Sequence, residues 1–178
     1  MFGVIKSFIP NNYLNDIKNE TKFSQGEINI DGKLIKEERL TVWMSDLSYE
    51  YKYGGKIMKP NKLSKSVKEI QEIIKKNYGV YYESVLINYY KDGNVGMRYH
   101  SDETYNEWNE DTVVVSFGAE RRLAFREKNN YENKCYFDIS SGDIIYMKEG
   151  CQKLYQHRVL KDKNISNDRI SLVFKKHL

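Results

Sequence analysis

A chain of 178 residues is long enough for one sizeable core, so residues 1–178 are expected to form a single domain. Forty per cent apolar residues argue against disorder, and no apolar run approaches the ~18 residues that a membrane span needs. A net charge of +4 permits an anionic partner without requiring one, and excludes nothing else.

The opening MFGVIKSFIP is too short and too charged for a signal peptide. Cys135 and Cys151 have no metal-type spacing, so the chain is expected to be reduced, intracellular and monomeric. Residues 27–38 (EINIDGKLIKEE) predict a β-hairpin, because Asp31-Gly32 between alternating arms suits a tight type I′ turn. A helix is expected over 61–78, where Leu63, Val67, Ile70, Ile73 and Ile74 recur at helical spacing and Gly79 provides the stop. Short strands then follow at 84–90, 112–117, 122–126, 134–139, 143–147, 153–159 and 169–175, separated by Gly, Asn and Asp clusters. The pattern is that of an α+β, mainly β chain: a sandwich or jelly roll with helices packed on one side.

Within this framework RYHSDE places His100 and Asp102 on one face of an extended segment, in a chain with only three histidines. Such a pair alone is more often a surface histidine beside a turn residue than a metal site. A third ligand is available from His157, in LYQHRVL, or from His177 near the C-terminus. Two histidines and one carboxylate on one face form the facial triad of non-haem Fe(II) oxygenases, which leaves positions open for a co-substrate and O2. Two strands lend support. In RISLVFK, Arg169, Ser171, Val173 and Lys175 share a face; an inward arginine there calls for an anion, whereas on an edge strand the same face would be a charged one open to solvent. A dicarboxylate such as 2-oxoglutarate would supply it through a bidentate pair. In SVLINYY, Asn88 and Tyr90 offer neutral donors on the same face as Leu86.

The order of these elements resembles the AlkB-like 2-oxoglutarate- and Fe(II)-dependent dioxygenases. LINYYKDGNVGMRYHSDE resembles their Asn-x-Tyr block and His-x-Asp pair, SFGAERRLAFR the strand–turn–strand that follows, SSGDIIYMKEGCQKLYQHRVL the block with the distal histidine, and RISLVFK the last strand. The likeness covers roughly residues 25–176. It implies a double-stranded β-helix (jelly roll) core over 80–176, and a substrate-lid region within 1–60. It implies His100, Asp102 and His157 as Fe(II) ligands, and Asn88, Tyr90, Arg169, Ser171 and Lys175 as the 2-oxoglutarate site. Lys175 stands where the family has a second arginine, and Ser171 replaces a usual asparagine; both bear on co-substrate affinity. The implied reaction uses O2 to decarboxylate 2-oxoglutarate and hydroxylate an N-alkyl group, releasing aldehyde, succinate and CO2.

The family's substrates are alkylated bases in DNA or RNA, reached in a single strand or by base flipping. Residues 39–55 (RLTVWMSDLSYEYKYGG) resemble its lid, with Arg39, Trp43, Tyr49, Tyr51 and Tyr53 as candidates for stacking and phosphate contact. Alternating tyrosines are equally the signature of one strand face. Glu103 and Arg122 complete the candidate substrate-binding set. An Asp31 hairpin tip in place of an apolar wedge, and QHRV around His157, favour single-stranded nucleic acid. Two alternatives stand beside this expectation: the same chemistry on a protein or lipid, and a non-catalytic nucleic-acid-binding module.

Overall fold

The computed structural model describes residues 1–178. The N-terminal half holds β1 (Phe2–Ile5), α1 (Leu14–Glu20), the hairpin β2 (Ser24–Ile30) and β3 (Lys33–Ser45), a small hairpin β4 (Tyr51–Tyr53) and β5 (Lys56–Met58), and α2 (Lys65–Tyr78). There follow β6 (Ser84–Tyr90), β7 (Thr112–Gly118), β8 (Arg121–Glu127), β9 (Lys134–Ile139), β10 (Ile144–Met147), the single turn α3 (Cys151–Leu154), β11 (Tyr155–Val159) and β12 (Arg169–Lys175).

Seven strands form one antiparallel sheet in the order β1-β10-β7-β12-β6-β3-β2, and three form a second in the order β11-β8-β9. Side-chain alternation decides what each face of the large sheet meets. Val85 and Ile87 of β6, Val113, Val115 and Phe117 of β7, and Ile170, Leu172 and Phe174 of β12 all enter one core cluster. Ile17 of α1 and Val67, Ile70 and Ile74 of α2 join that same cluster, which places the helices against this face. Each such side chain, fully buried, contributes on the order of 1.5–3 kcal/mol. The intervening residues of β6 and β12, among them Asn88, Tyr90, Arg169 and Ser171, point instead into a cavity. Leu123 and Phe125 of β8 wall the cavity from the small sheet, within a second apolar cluster that includes Tyr90, Ile139 and Val159.

Local sequence explains the turns and caps. Asp31 and Gly32 both adopt positive φ, 50° and 79°, as a type I′ turn demands. Ser64 accepts from the Val67 N–H and starts α2 later than apolar spacing alone suggests, at Lys65 rather than residue 61. Gly79 closes the helix at φ 78°. Three elements differ from expectation. β3 runs on to Ser45 as an inner strand between β2 and β6, so residues 39–45 of the expected lid region lie in the main sheet. Residues 151–154 form a helical turn before β11. Phe2–Ile5 adds an edge strand beside β10, carried by an alternation too brief to read in four residues.

Candidate active site

His100 and His157 come together because their backbones pair. The His100 N–H donates to the His157 carbonyl at 3.1 Å and the His157 N–H returns to His100 at 2.9 Å. The two rings then lie 4.3 Å apart. Asp102 completes the group: one ligand atom from each of His100, Asp102 and His157 lies within 4.8 Å of the others. Asp102 Oδ1 is 3.6 Å from both imidazole Nε2 atoms, too far for hydrogen bonds among them. Three lone pairs thus converge without satisfying one another. His100 Nδ1 lies 2.8 Å from the Arg98 carbonyl, which assigns its proton there and frees Nε2 as a ligand.

Electrostatics favour the ligating forms. Burial, reinforced by His100, pushes the His157 imidazole down to about 3, so it is neutral. Burial also lowers His100. Burial alone would raise the Asp102 carboxyl, but the Lys175 ammonium holds it well below the usual carboxylate range. Lys175 Nζ donates to Asp102 Oδ2 at 2.9 Å, and Gln152 Oε1 accepts the Asp102 backbone N–H at 2.8 Å. These contacts aim Oδ1 at the histidines. Two neutral nitrogens and one carboxylate oxygen, with no closed fourth ligand, fit a divalent first-row ion such as Fe(II). His177 is not part of the group; its ring stacks on Tyr49 at 3.8 Å.

The neighbouring wall is a ladder of polar residues set by strand register. Arg169 pairs with Tyr90, and Ser171 sits between Asn88 and Ser116. Arg169 donates through Nε to Ser116 Oγ at 2.8 Å, yet its buried Nη1 has no partner. Its guanidinium lies 5.1 Å from the Tyr90 ring centre. Asn88 donates to Ser171 Oγ at 3.3 Å and accepts from Arg39 Nε at 2.6 Å. An unpartnered guanidinium nitrogen facing such a wall needs an acidic guest. The enclosing cavity is about 830 Å³, ample for a small dicarboxylate and part of a larger substrate.

Across the cavity the β4–β5 hairpin is tied to β3 through Glu37, whose carboxylate is fully buried. It accepts from Tyr53 Oη at 2.7 Å and Lys56 Nζ at 2.8 Å, and pairs with Arg39 at 3.2 Å. A side chain at residue 26 would fall 2.1 Å from Lys56 Nζ, so only glycine leaves room for this node, at the irregularity between Gln25 and Glu27. Tyr51 and Tyr53 line the cavity, while Trp43 and Tyr49 do not. Trp43 is buried against Tyr51 at 4.5 Å and donates to the Tyr49 carbonyl, so neither Trp43 nor Tyr49 is placed to stack on a substrate. Glu103 lies on the rim, where it accepts from Gly54 N–H and the Tyr105 hydroxyl. Arg122 is displaced from the site: it points to solvent and makes a two-pronged pair with Asp138 on β9 at 2.7 and 3.0 Å. The parity of β8 turns Arg121, Leu123 and Phe125 inward and Arg122 outward.

Sequence reading overlooked Glu37, Tyr99 and Arg126. The alternation of Glu37, Arg39 and Thr41 along β3 would have marked Glu37. Arg126 lies between the rings of Tyr99 and Tyr131, 3.9 Å from each, and donates to Gln156 next to His157. This contact crosses segments and leaves no local pattern.

Comparison with known proteins agrees with this geometry. The model of the 2OG-Fe(II) oxygenase superfamily matches residues 4–175, and the chain belongs to that superfamily. Within it the chain is AlkB-like. It is 34% identical to uncharacterized protein R406 of Acanthamoeba polyphaga mimivirus, over 79% of this chain and 74% of that one. It is 28% identical to the alpha-ketoglutarate-dependent dioxygenase alkB homolog 3 of Rattus norvegicus, over 78% of this chain and 50% of that one. It is 23% identical to the human DNA oxidative demethylase ALKBH2, over 92% and 67% respectively. The chain therefore spans about half the length of the alkB homolog 3 relatives. The solved structure of OsALKBH1 shares the fold, with a TM-score of 0.73 at 14% identity over 99% of this chain and 96% of that one.

Proposed function

We propose that this chain is an Fe(II)- and 2-oxoglutarate-dependent dioxygenase that removes N-alkyl groups from bases in DNA or RNA, releasing aldehyde, succinate and CO2. The observation that carries it is the meeting of His100, Asp102 and His157 with the unpartnered Arg169 guanidinium in one cavity. His100, Asp102 and His157 would hold the iron, which supplies the oxidative chemistry when 2-oxoglutarate and O2 are present. Arg169, with Tyr90 and Ser116 around it, would seat the distal carboxylate. Asn88 and Ser171 would complete the co-substrate wall, while Lys175, which does not line the cavity, would act through Asp102. Phe125, Leu123 and Val159 exclude water from that end. On this reading the two antiparallel sheets are the walls of a double-stranded β-helix.

The substrate side supports a cationic base. N-alkylation at a ring nitrogen such as N1 of adenine leaves a positive charge, and Glu103 puts a carboxylate on the rim of the opposite wall, whereas the Glu37 carboxylate is taken up by Arg39 and Lys56. Arg39, Tyr51 and Tyr53 would frame the base, and Arg126 with Tyr99 would meet the flanking strand by charge and stacking. A single strand is favoured because the β2–β3 tip carries Asp31 in place of an apolar wedge that could enter the stacked bases of a duplex. The test is incubation with Fe(II), 2-oxoglutarate and 1-methyladenine or 3-methylcytosine oligonucleotides, single- and double-stranded. Restored bases with equimolar formaldehyde are expected, faster on single strands. If no methylated strand is repaired while a protein or lipid fraction raises succinate output, the substrate class is wrong and the oxygenase chemistry stands.

A further inference from the structure

Arg121 is one residue from the arginine that sequence reasoning selects, and it occupies a different environment. It is 1% exposed, among the largest fully buried side chains of the chain. Its guanidinium donates to three backbone carbonyls: Val95 at 2.8 Å, Leu160 at 2.6 Å and Asp92 at 3.3 Å. No carboxylate lies within ion-pair distance, and Nε is buried without a partner. It sits 5.6 Å from the centre of the Tyr90 ring, and Arg169 sits 5.1 Å from the same ring. Two buried guanidiniums thus share one tyrosine, each with an unsatisfied nitrogen and neither with a counter-ion.

Buried cations are ordinarily paired, because an unpaired one loses its hydration without return. Here the hydrogen-bond partners of Arg121 are all carbonyl dipoles, with the Asp162 and Asp92 carboxylates acting on it only at longer range. Arg121 does not line the cavity itself, but it flanks the same Tyr90 ring as Arg169, which does line it and awaits an anion. Its three carbonyl partners also have a meaning. Asp92 and Val95 lie on the segment that leads from β6 to His100 and Asp102, and Leu160 follows the strand that carries His157. The two segments pack backbone to backbone there, since a side chain at Gly93 would fall 1.8 Å from the Asp162 carbonyl. Arg121 is the polar pin of that junction.

We propose that Arg121 is a positioning residue for the distal carboxylate of the acidic co-substrate. It acts through Tyr90 and as the second of two buried cations, and it sets the preference for a dianionic over a monoanionic 2-oxo acid. The proposal rests on the 2-oxoglutarate reading of the cavity and is independent of whether the substrate is nucleic acid.

The experiment is anaerobic calorimetry on the Fe(II)-loaded chain with two probes, 2-oxoglutarate and 2-oxopentanoate, which replaces the distal carboxylate by a methyl group. Wild type is compared with Arg121→Gln and Arg121→Lys. Arg121→Gln is expected to weaken 2-oxoglutarate by roughly tenfold and 2-oxopentanoate by less than about twofold. Arg121→Lys is expected to recover most of the loss for 2-oxoglutarate. Equal weakening of both probes, or of neither, would show a purely structural arginine and overturn the proposal. Should both variants fail to fold, Arg169→Gln decides: with Arg121 as a second cation this variant still prefers 2-oxoglutarate to 2-oxopentanoate by more than about tenfold, and a smaller preference overturns the proposal. Failure here with methylated bases still repaired would leave the proposed function intact. Repair failing while the two probes behave as expected would refute only the substrate.

Discussion

Asp102 faces two imidazoles through one oxygen and an ammonium through the other, so its neighbours can be tested separately. His100→Ala and His157→Ala each remove one lone pair and no buried charge. Both are expected to abolish stoichiometric Fe(II) binding, measured by metal analysis, while keeping a cooperative melt. Lys175 differs, because its side chain is 1% exposed and its partner is the Asp102 carboxylate. Lys175→Met is expected to destabilise the metal-free protein by about 3–5 kcal/mol, as breaking a buried pair does. Added divalent metal should return part of that stability by replacing the lost positive charge. A Lys175→Met protein as stable as wild type without metal would show that the pair carries no such tension. Residue-level legibility was uneven. Asn88, Tyr90, Arg169, Ser171 and Lys175 were readable because alternation along β6 and β12 puts them on common faces, and His100 and Asp102 because they stand two apart on an extended segment. Arg121 and Arg122 were not separable, since adjacent arginines differ only in strand parity, and parity follows from knowing where β8 begins.

At the scale of elements, Asp143 illustrates a turn that holds two distant segments. Its carboxylate accepts the Ser7 and Ser140 N–H groups, both at 2.8 Å, and pairs with Lys6 at 2.7 Å. Burial would raise this carboxyl, yet Lys6 and the two N–H groups lower it below its ordinary value. The folded chain therefore binds the proton less readily than the unfolded one, whose aspartates titrate near ~3.9. The stability this confers is complete above that value and is lost as pH falls through the lower folded value. Asp143→Asn should flatten the acid limb of the stability profile and cost about 1–3 kcal/mol at neutral pH, read by urea unfolding at several pH values. The helix α2 and strands β6, β7, β9 and β12 could be placed from periodicity alone. Residues 39–55 could not, because the inner half of β3 carries Arg39, Thr41 and Ser45 on a buried face. Arg39 serves the cavity and Ser45 bonds to Ser84 across the sheet, and in sequence such polar residues read as surface.

For the whole molecule, the cavity and the metal group join the two sheets, so ligand binding should register as global stability. A site saturated at about 100 times its dissociation constant adds about 2.7 kcal/mol, which for a chain of this size corresponds to roughly 5–10 °C in melting temperature. Fe(II) or Mn(II) with 2-oxoglutarate should produce such a rise in wild type and none in His157→Ala, checked by anaerobic thermal denaturation.

The pairing of His100 with His157 has a consequence beyond ligand placement. β11 is the outer strand of the small sheet, and residues 97–101 cover its open side, through Met97 to Val159 at 3.0 Å, the reciprocal histidine bonds and Ser101 Oγ to the Tyr155 carbonyl at 2.8 Å. An ion shared by the two histidines would rivet that seam. Stripping it with a chelator should let the short cover peel away and bare a strand edge ready to join another chain. Light scattering of chelated protein should then grow with concentration and subside when metal is restored, so that iron guards solubility as well as supplying chemistry.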